Sequence, residues 1–347
     1  MQPVISVCIP VYNTEPYLLQ CLRSVIIQDF ENFEVIVVSD SSPGKDEKGR
    51  GAKKLVRLAQ KECNRIRKSR KLPKVPFRFI EHRENRGVIE VRRTLCYEAR
   101  GLFITQLDSD DELEAGALTA LYQAAGMPAS AQTEYFDIVH GTSSSGFFTK
   151  NQNGNFIFTA SAENRYGQIF YGEIYDSQVF HKWIVDKLFT AHTWGKLIKR
   201  ELWLKAYENI PYTECNMADD LLIFFFISQY ARSYKGIQTK VYRYRMNSGM
   251  SSDRKIDSLH KWKMVCSAAS VFSVISTWIK ENPVLSEEET DRIRYMTRFY
   301  LANNIRQLQY TVIPQLKSQA RQLLCDYWGQ HFVETIELEL SQESVIK

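Results

Sequence analysis

The sequence predicts an α/β fold with a mainly parallel central sheet, followed by a C-terminal helical extension. Three observations carry this. Short β-branched runs alternate with segments of helical spacing over the first 107 residues. Those runs are apolar on both faces, as in strands covered on two sides. Beyond about residue 255 only helical patterns remain.

Residues 5–11 form the first apolar run, and residues 17–28 then place Leu18, Cys21, Leu22, Val25 and Ile26 at helical spacing. A second β-branched run, residues 34–39, stops at the turn signal Asp40-Ser41-Ser42-Pro43-Gly44. A basic helix follows, then a strand at 77–80, a helix at 88–99 and a strand at 103–107. Strands separated by helices imply right-handed crossovers and parallel pairing. The middle changes character. Residues 137–139 read as a strand, 146–159 as a hairpin around Asn153-Gly154, and 236–244 as the last strong strand. The helices after it span 256–280, a segment opened by the capping box Ser286-x-x-Glu289, and 314–328. This divides the chain into a domain at 1–252, with halves at about 1–112 and 113–252, and a helical region at 253–347.

The chain has 347 residues, 44% hydrophobic and 24% charged, enough for a large core and unlike a disordered protein. Seven scattered cysteines, none spaced Cys-x-x-Cys, argue against a disulfide framework or a zinc ribbon. With no basic leader before the first strand, the expectation is a cytoplasmic protein. The longest apolar stretch, residues 264–279, carries Ser267, Ser270, Ser273 and Ser276 at a spacing of three. It is shorter than the roughly 20 residues of a membrane span and reads as an amphipathic helix. The net charge of +5 hides an asymmetry. The run that opens at Lys45 and ends at Lys74 holds thirteen Lys or Arg against Asp46, Glu47 and Glu62, leaving the remainder net acidic. Such a run suits an anionic partner such as a membrane surface, and serves equally as a solvated helix face.

The sharpest chemical signal is Asp108-Ser109-Asp110-Asp111, directly after an apolar strand. Three carboxylates in four residues repel one another, so gathering them favours a cation. Hard oxygen ligands at the carboxyl end of a parallel strand suit Mg²⁺ or Mn²⁺ with substrate phosphates completing the shell. A solvated acidic turn or a helix N-cap accounts for the same residues without a metal. The six histidines show no ligand spacing, and no Gly-x-Ser-x-Gly, P-loop or Gly-x-Gly-x-x-Gly occurs.

Several pieces in fixed order resemble the family 2 glycosyltransferases, which have the GT-A fold: Cys8-Ile9-Pro10-Val11-Tyr12-Asn13, Val37-Val38-Ser39-Asp40, Asn85-x-Gly87 with Arg92, and Asp108-Ser109-Asp110-Asp111. Trp194-Gly195-Lys196-Leu197-Ile198-Lys199-Arg200, then Asp219-Asp220-Leu221-Leu222, continue the likeness, and Tyr242-Arg243-Tyr244-Arg245 leads into Ser248 and Ser251 as in bacterial members that build surface polysaccharides. The resemblance spans residues 4–252.

It implies an inverting, metal-dependent enzyme moving a sugar from a nucleotide sugar, commonly UDP-linked, to a glycan or lipid-linked hydroxyl. Pro10 and Tyr12 would bed the base, and Asp40 would accept its ring N–H. Asn85, Gly87 and Arg92 would line the nucleotide side. Asp108, with Ser109, would sit near the ribose, and Asp110, with Asp108, would hold Mn²⁺ or Mg²⁺. Asp220, beside Asp219, would take the acceptor proton, with Trp194 and His192 on the acceptor side. An N-cap at Asp219 and packing at Trp194 are the structural alternatives. The chain departs from the family at Ser41, where the usual Asp-Gly-Ser has Gly, at Val91 and Arg93, where Ala-Arg-Asn is usual, and at Leu95, commonly Gly. The rival functions are a nucleotidyltransferase, which lacks its Gly-rich Lys loop here, a catalytically silent scaffold, and a basic nucleic-acid module, which the residues do not lead us to expect.

Overall fold

The computed structural model describes residues 2–126, 134–150, 156–162, 168–246 and 255–345. The first half builds the expected crossovers. β1 (Ile5–Val11), β2 (Phe33–Ser39), β3 (Phe77–Glu81) and β4 (Phe103–Gln106) pair in parallel in the order β3-β2-β1-β4. The order reverses between β1 and β4, so a crevice opens at their carboxyl ends, where open α/β sheets bind ligands. α1 (Glu15–Ile26) and α2 (Ala52–Ser69) cover one face of the sheet with Leu18, Leu22, Leu55 and Ala59, all fully buried. α3 (Val88–Glu98) covers the other with Ile89 and Leu95.

Beyond β4 the sheet becomes mixed. β5 (Glu112–Leu113), β6 (Ile138–Lys150), β9 (Lys196–Lys199) and β10 (Tyr234–Arg245) extend it in the order β4-β9-β6-β10-β5, with β9 antiparallel to both neighbours. β7 (Phe156–Ala160) pairs antiparallel with β6, as the hairpin reading expects, and β8 (Glu173–Ile174) pairs with β10. The Asn153-Gly154 turn, Ser248, Ser251 and the boundary at 252/253 lie outside the described residues. α4 (Ala117–Ala125), α5 (Val179–Ile184) and α6 (Arg200–Asn209) fill out the two faces. α7 (Asp219–Tyr230) is apolar all round, with Leu221 to Ser228 buried without a break, so it runs through the core rather than along its surface.

The C-terminal helices belong to two cores. α8 (Leu259–Cys266), α11 (Lys317–Trp328) and α12 (Gln330–Val345) enclose Trp262, Leu301 and Leu324 in a core of their own. α9 (Ala268–Glu281) joins the core of α7 through Val271, Phe272 and Ile275, and α10 (Glu287–Tyr310) spans both, giving Ile293 to the core of α7 and Leu301, Ile305 and Leu308 to the other. The stretch Leu259–Glu281 is long and apolar enough to cross a membrane by length and composition, with a mean hydropathy of 1.3. Its inward residues pack on α7: Trp278 meets Phe225 and Phe226 edge to face, with centroids 5.5 and 5.6 Å away. The capping box at Ser286 and Glu289 forms as expected.

Candidate active site

The acidic loop leaves β4 and turns back at once, with the Asp111 N–H donating to the Asp108 carbonyl at 3.0 Å. Its carboxylates then divide by environment. Asp111 is buried and structural: it accepts the Tyr242 hydroxyl at 2.8 Å and the Arg245 backbone N–H at 2.6 Å. Burial pushes its carboxyl well up, with Asp110 and Asp108 adding to the rise. The Arg245 guanidinium donates to the Asp110 carbonyl at 2.7 Å, so β10 holds the loop from behind. Asp108 and Asp110 are half-buried, in the loop that follows the carboxyl end of β4. Ser109, expected beside the donor, points inward: its hydroxyl is buried 2.6 Å from that of Thr14 and ties the loop to α1.

Arg92 is the hinge of the site. Sequence reasoning placed it along the nucleotide wall. In the structure it lies buried at the base of the crevice, 4% exposed. Its guanidinium donates to Asp108 at 3.0 Å and to Asp219 at 3.2 Å, with Gln106 at 3.5 Å. One cation thereby joins the acidic loop to the acid pair of α7. It is outnumbered. Burial pushes the Asp108 carboxyl up to about 7, Arg92 opposes this, and the charges of Asp220, Asp110 and Asp219 reinforce it.

The acid pair sits in the first turn of α7, entered through Ala218 in a left-handed conformation, φ +65°. That backbone is costly for a residue with a side chain, and such costs cluster where a side chain must be aimed. It puts Asp219 and Asp220 at the helix N-terminus, where free N–H groups favour negative charge. The two then differ. Burial and its neighbour Asp220 raise Asp219 to about 6 against the pull of Arg92. For Asp220, burial is outweighed by Arg92, His192 and two hydrogen bonds from Thr193, one from its N–H at 3.2 Å and one from its hydroxyl at 2.5 Å. Asp220 is therefore held below the ordinary carboxylate range and stays ionised, the state a general base needs.

Beside Asp220 lies a packed aromatic ladder. Trp194, expected as a possible platform for an acceptor sugar, is 4% exposed and stacked between His192 at 4.6 Å and Tyr242 at 4.7 Å. Both faces of its ring are taken, so it supports the site rather than a sugar. His192 is the partly exposed end plate, pushed down to about 4 by burial and thus neutral at pH 7. Gly195 follows at φ +69°, a conformation glycine adopts without strain, and begins the return into β9. Lys196 is wholly buried, with its ammonium donating to the Thr190 carbonyl at 3.1 Å and to that of His192 and lying 5.2 Å from the Phe224 ring centroid. Burial pushes it down to about 7 although Asp220 draws it back up.

On the donor side, Tyr12 stands 43% exposed beyond β1, next to half-buried Pro10. Asp40 departs from its expected role. It is 2% exposed, and its oxygens already receive the Arg86 and Gly87 N–H groups, at 3.0 and 2.8 Å, and the His82 ring at 2.7 Å. With its lone pairs engaged within the protein, Asp40 shapes the turn at Asn85, which is exposed, and Gly87, whose φ of +84° opens α3. His82 is the residue the sequence reading passed over. Its other nitrogen lies 3.0 Å from the Thr94 hydroxyl, so it bridges β3 to α3.

Among the described residues, no group of three or more His, Cys, Asp or Glu side chains gathers as metal ligands. The two half-buried carboxylates Asp108 and Asp110 are still a fitting donor set for a hard divalent ion that takes further ligands from phosphate and water. Burial is the main upward push on Asp108, and the charges of Asp220, Asp110 and Asp219 add to it; a cation bound there would oppose both.

A parallel sheet whose reversal point carries this carboxylate cluster has the architecture of the GT-A fold. The chain belongs to glycosyl transferase family 2, whose model matches residues 6–189. It is 26% identical over 252 residues to the glycosyltransferase GlyG of Streptococcus pneumoniae serotype 4, covering 72% of this chain and 73% of that protein. Among solved structures it resembles S. aureus TarS 1–349 in complex with UDP-GlcNAc, with 16% identity, a TM-score of 0.50 and coverage of 98% and 92% of the two chains. The mannosyltransferase PcManGT of Pyrobaculum calidifontis in complex with GDP-Man and Mn²⁺ is similar at 14% identity and a TM-score of 0.50, covering 98% and 87%. These two likenesses are of fold alone. The protein is an enzyme that transfers a sugar from a nucleotide-sugar donor to an acceptor.

Proposed function

We propose that this enzyme is an inverting, Mn²⁺- or Mg²⁺-dependent transferase that moves a sugar from a UDP-sugar to a hydroxyl of a glycan or lipid-linked acceptor in surface polysaccharide synthesis, working on the inner face of the membrane. The observation that carries this reading is the gathering of Asp108, Asp110, Asp219 and Asp220, with buried Arg92 joining Asp108 to Asp219. Tyr12 and Pro10 bed the base, and the turn at Asn85 and Gly87, shaped by Asp40, lines the nucleotide. Asp108 and Asp110 are the residues that would hold the metal, and that ion would supply positive charge against the charge developing on the departing nucleoside diphosphate.

Asp220 accepts the proton of the attacking acceptor hydroxyl. As the bond from that oxygen to the anomeric carbon forms, the bond to the diphosphate oxygen breaks on the opposite side, and the configuration inverts. Arg92 fixes Asp219 beside the base and Asp108 beside the donor, and His192 offers a neutral edge to the acceptor. Residues 1–112 are the donor half, 113–252 the acceptor half, and the helices after 253 brace the latter.

The test is a panel of UDP-, GDP-, ADP- and dTDP-sugars with and without Mn²⁺, read as released nucleoside diphosphate and as thermal stabilisation. UDP-sugars with Mn²⁺ are expected to give both. A preference for another nucleotide, or full turnover in chelator, overturns the corresponding part.

A further inference from the structure

The basic run does not enter the site just described, and the structure sorts it sharply. Arg67 is not available to any partner. It is 1% exposed, and its guanidinium donates to the carbonyls of Pro73, Phe30 and Glu31 over the Phe33 ring. Arg50 is spent on Asp46. Of the other eleven, six form a stripe along the outer face of α2: Lys53, Lys54, Arg57, Lys61, Arg65 and Lys68, all exposed. Among the described residues none of the six meets a carboxylate in an ion pair, and the one acid on the helix, Glu62, is engaged by Arg23 at 3.2 Å.

Lys53, Arg57, Lys61 and Arg65 follow one another at intervals of four, the spacing that brings side chains together on a helix and makes like charges repel. The 18-residue helix is thus about 27 Å of unrelieved positive charge. Solubility does not require such an arrangement, and it opposes helix formation until anions meet it. Beside it, between α2 and the edge strand β3, lies a groove of about 310 Å³. Lys53 and Arg57 form its rim with Gln60 and Glu81, and Val56, Phe77 and Phe79 supply its apolar surface.

We infer that this face of α2, with the groove along β3, is a docking surface for anionic phospholipid headgroups, on which the enzyme rests with α2 against the bilayer. A row of cations bordered by apolar surface matches a headgroup layer, where charge and hydrocarbon meet. A nucleic acid fits less well. The groove's rings are half-buried rather than presented for stacking, and a strand running past the stripe meets a chain that is otherwise net acidic. The surface is independent of the catalytic assignment.

The experiment is sedimentation of the full chain with neutral phosphatidylcholine vesicles and with vesicles containing 30% phosphatidylglycerol, from 50 to 500 mM NaCl. The comparison variant carries K53Q, R57Q, K61Q, R65Q and K68Q. Wild type is expected to bind the anionic vesicles and to release them as salt rises. The variant should keep its circular dichroism and donor hydrolysis while losing on the order of a hundredfold or more in vesicle affinity, each cation near a charged bilayer being worth roughly fivefold. Equal binding to both vesicle types overturns the proposal, as does binding unchanged in the variant. So does tighter binding to polyuridylate than to vesicles at matched salt. The salt dependence of wild type decides the matter by itself if the variant folds poorly.

Discussion

Replacing Arg92 by Met removes the one cation that joins Asp108 to Asp219 while keeping much of the side-chain volume. At an effective dielectric of 20 and about 4 Å between charge centres, each of those two contacts is worth about 4 kcal/mol. The desolvation of the guanidinium is recovered on its removal, so the net loss for breaking a buried pair is about 3–5 kcal/mol. The sign with pH follows from the two partners. Asp108 is held up at about 7 and Asp219 at about 6 in the folded protein, against about 3.9 unfolded. A carboxyl raised in this way contributes stability that is fully present below about pH 4 and lost as pH rises through its folded value. Without Arg92 both rise further, so the deficit must be larger at pH 8 than at pH 5. Urea denaturation of wild type and R92M at both pH values, in chelator, measures it. The double variant R92M/D219N should recover a large part of the loss. A deficit below about 1 kcal/mol at pH 8, or one equal at the two pH values, would refute the reasoning.

Three further outcomes separate the roles of neighbouring residues. D110A should abolish Mn²⁺-dependent stabilisation by the donor and with it transfer, while the metal-free protein melts no lower than wild type, because one of several repelling charges is gone; calorimetric titration of donor with Mn²⁺ checks it. D220N should bind donor within a few-fold of wild type but turn over on the order of 10² slower; a loss appearing in donor affinity alone would move the base elsewhere. W194A should cost about 3–5 kcal/mol of stability by emptying the middle of the aromatic ladder. A change confined to acceptor KM, with the melting temperature kept, would restore Trp194 as a sugar platform.

The parallel half of the fold was legible because strands 5–11, 34–39 and 103–107 are buried on both faces and punctuated by turns. β9 was not, because four residues following Gly195 carry no period of their own; they become a strand only between β4 and β6. The acidic loop announced itself by charge density. The separate fates of its members did not, since Tyr242 and Arg245, more than a hundred positions away, take the Asp111 carboxylate, whereas Arg92 takes that of Asp108. The same limit hid Asp40: its local turn suggested a ligand contact, whereas His82 and the N–H groups of Arg86 and Gly87 claim it from another strand end. Among thirteen cations in the basic run, helical spacing alone could not single out Arg67, because what buries it are carbonyls at residues 30, 31 and 73.

The C-terminal helices acquire a role from the same geometry. α7 carries the acid pair, and its approach is pinned from outside the family-matched segment: the Asn216 N–H donates to the Ser267 hydroxyl at 3.0 Å at the start of α9. Trp278 donates to Asn209 at 3.2 Å while packing on Phe225 and Phe226. Tyr300 of α10 packs tilted against Phe272 with centroids 5.0 Å apart, and burial, with the charges of Asp220 and Asp219, pushes its phenol up. The hydroxyl therefore lies within the field of the acid pair. A base in the first turn of a helix can be aimed only as well as that helix is held, and an entry through a left-handed alanine has no slack to absorb movement. Packing of α9 and α10 into the core of α7 holds the helix in the position where Asp220 accepts its hydrogen bonds from Thr193 and Asp219 shares Arg92 with Asp108. The helical extension is thus divided: Val271, Phe272, Ile275 and Ile293 merge with the core of α7 and hold the helix that carries the acid pair, while α8, α11, α12 and the later part of α10 close a core of their own.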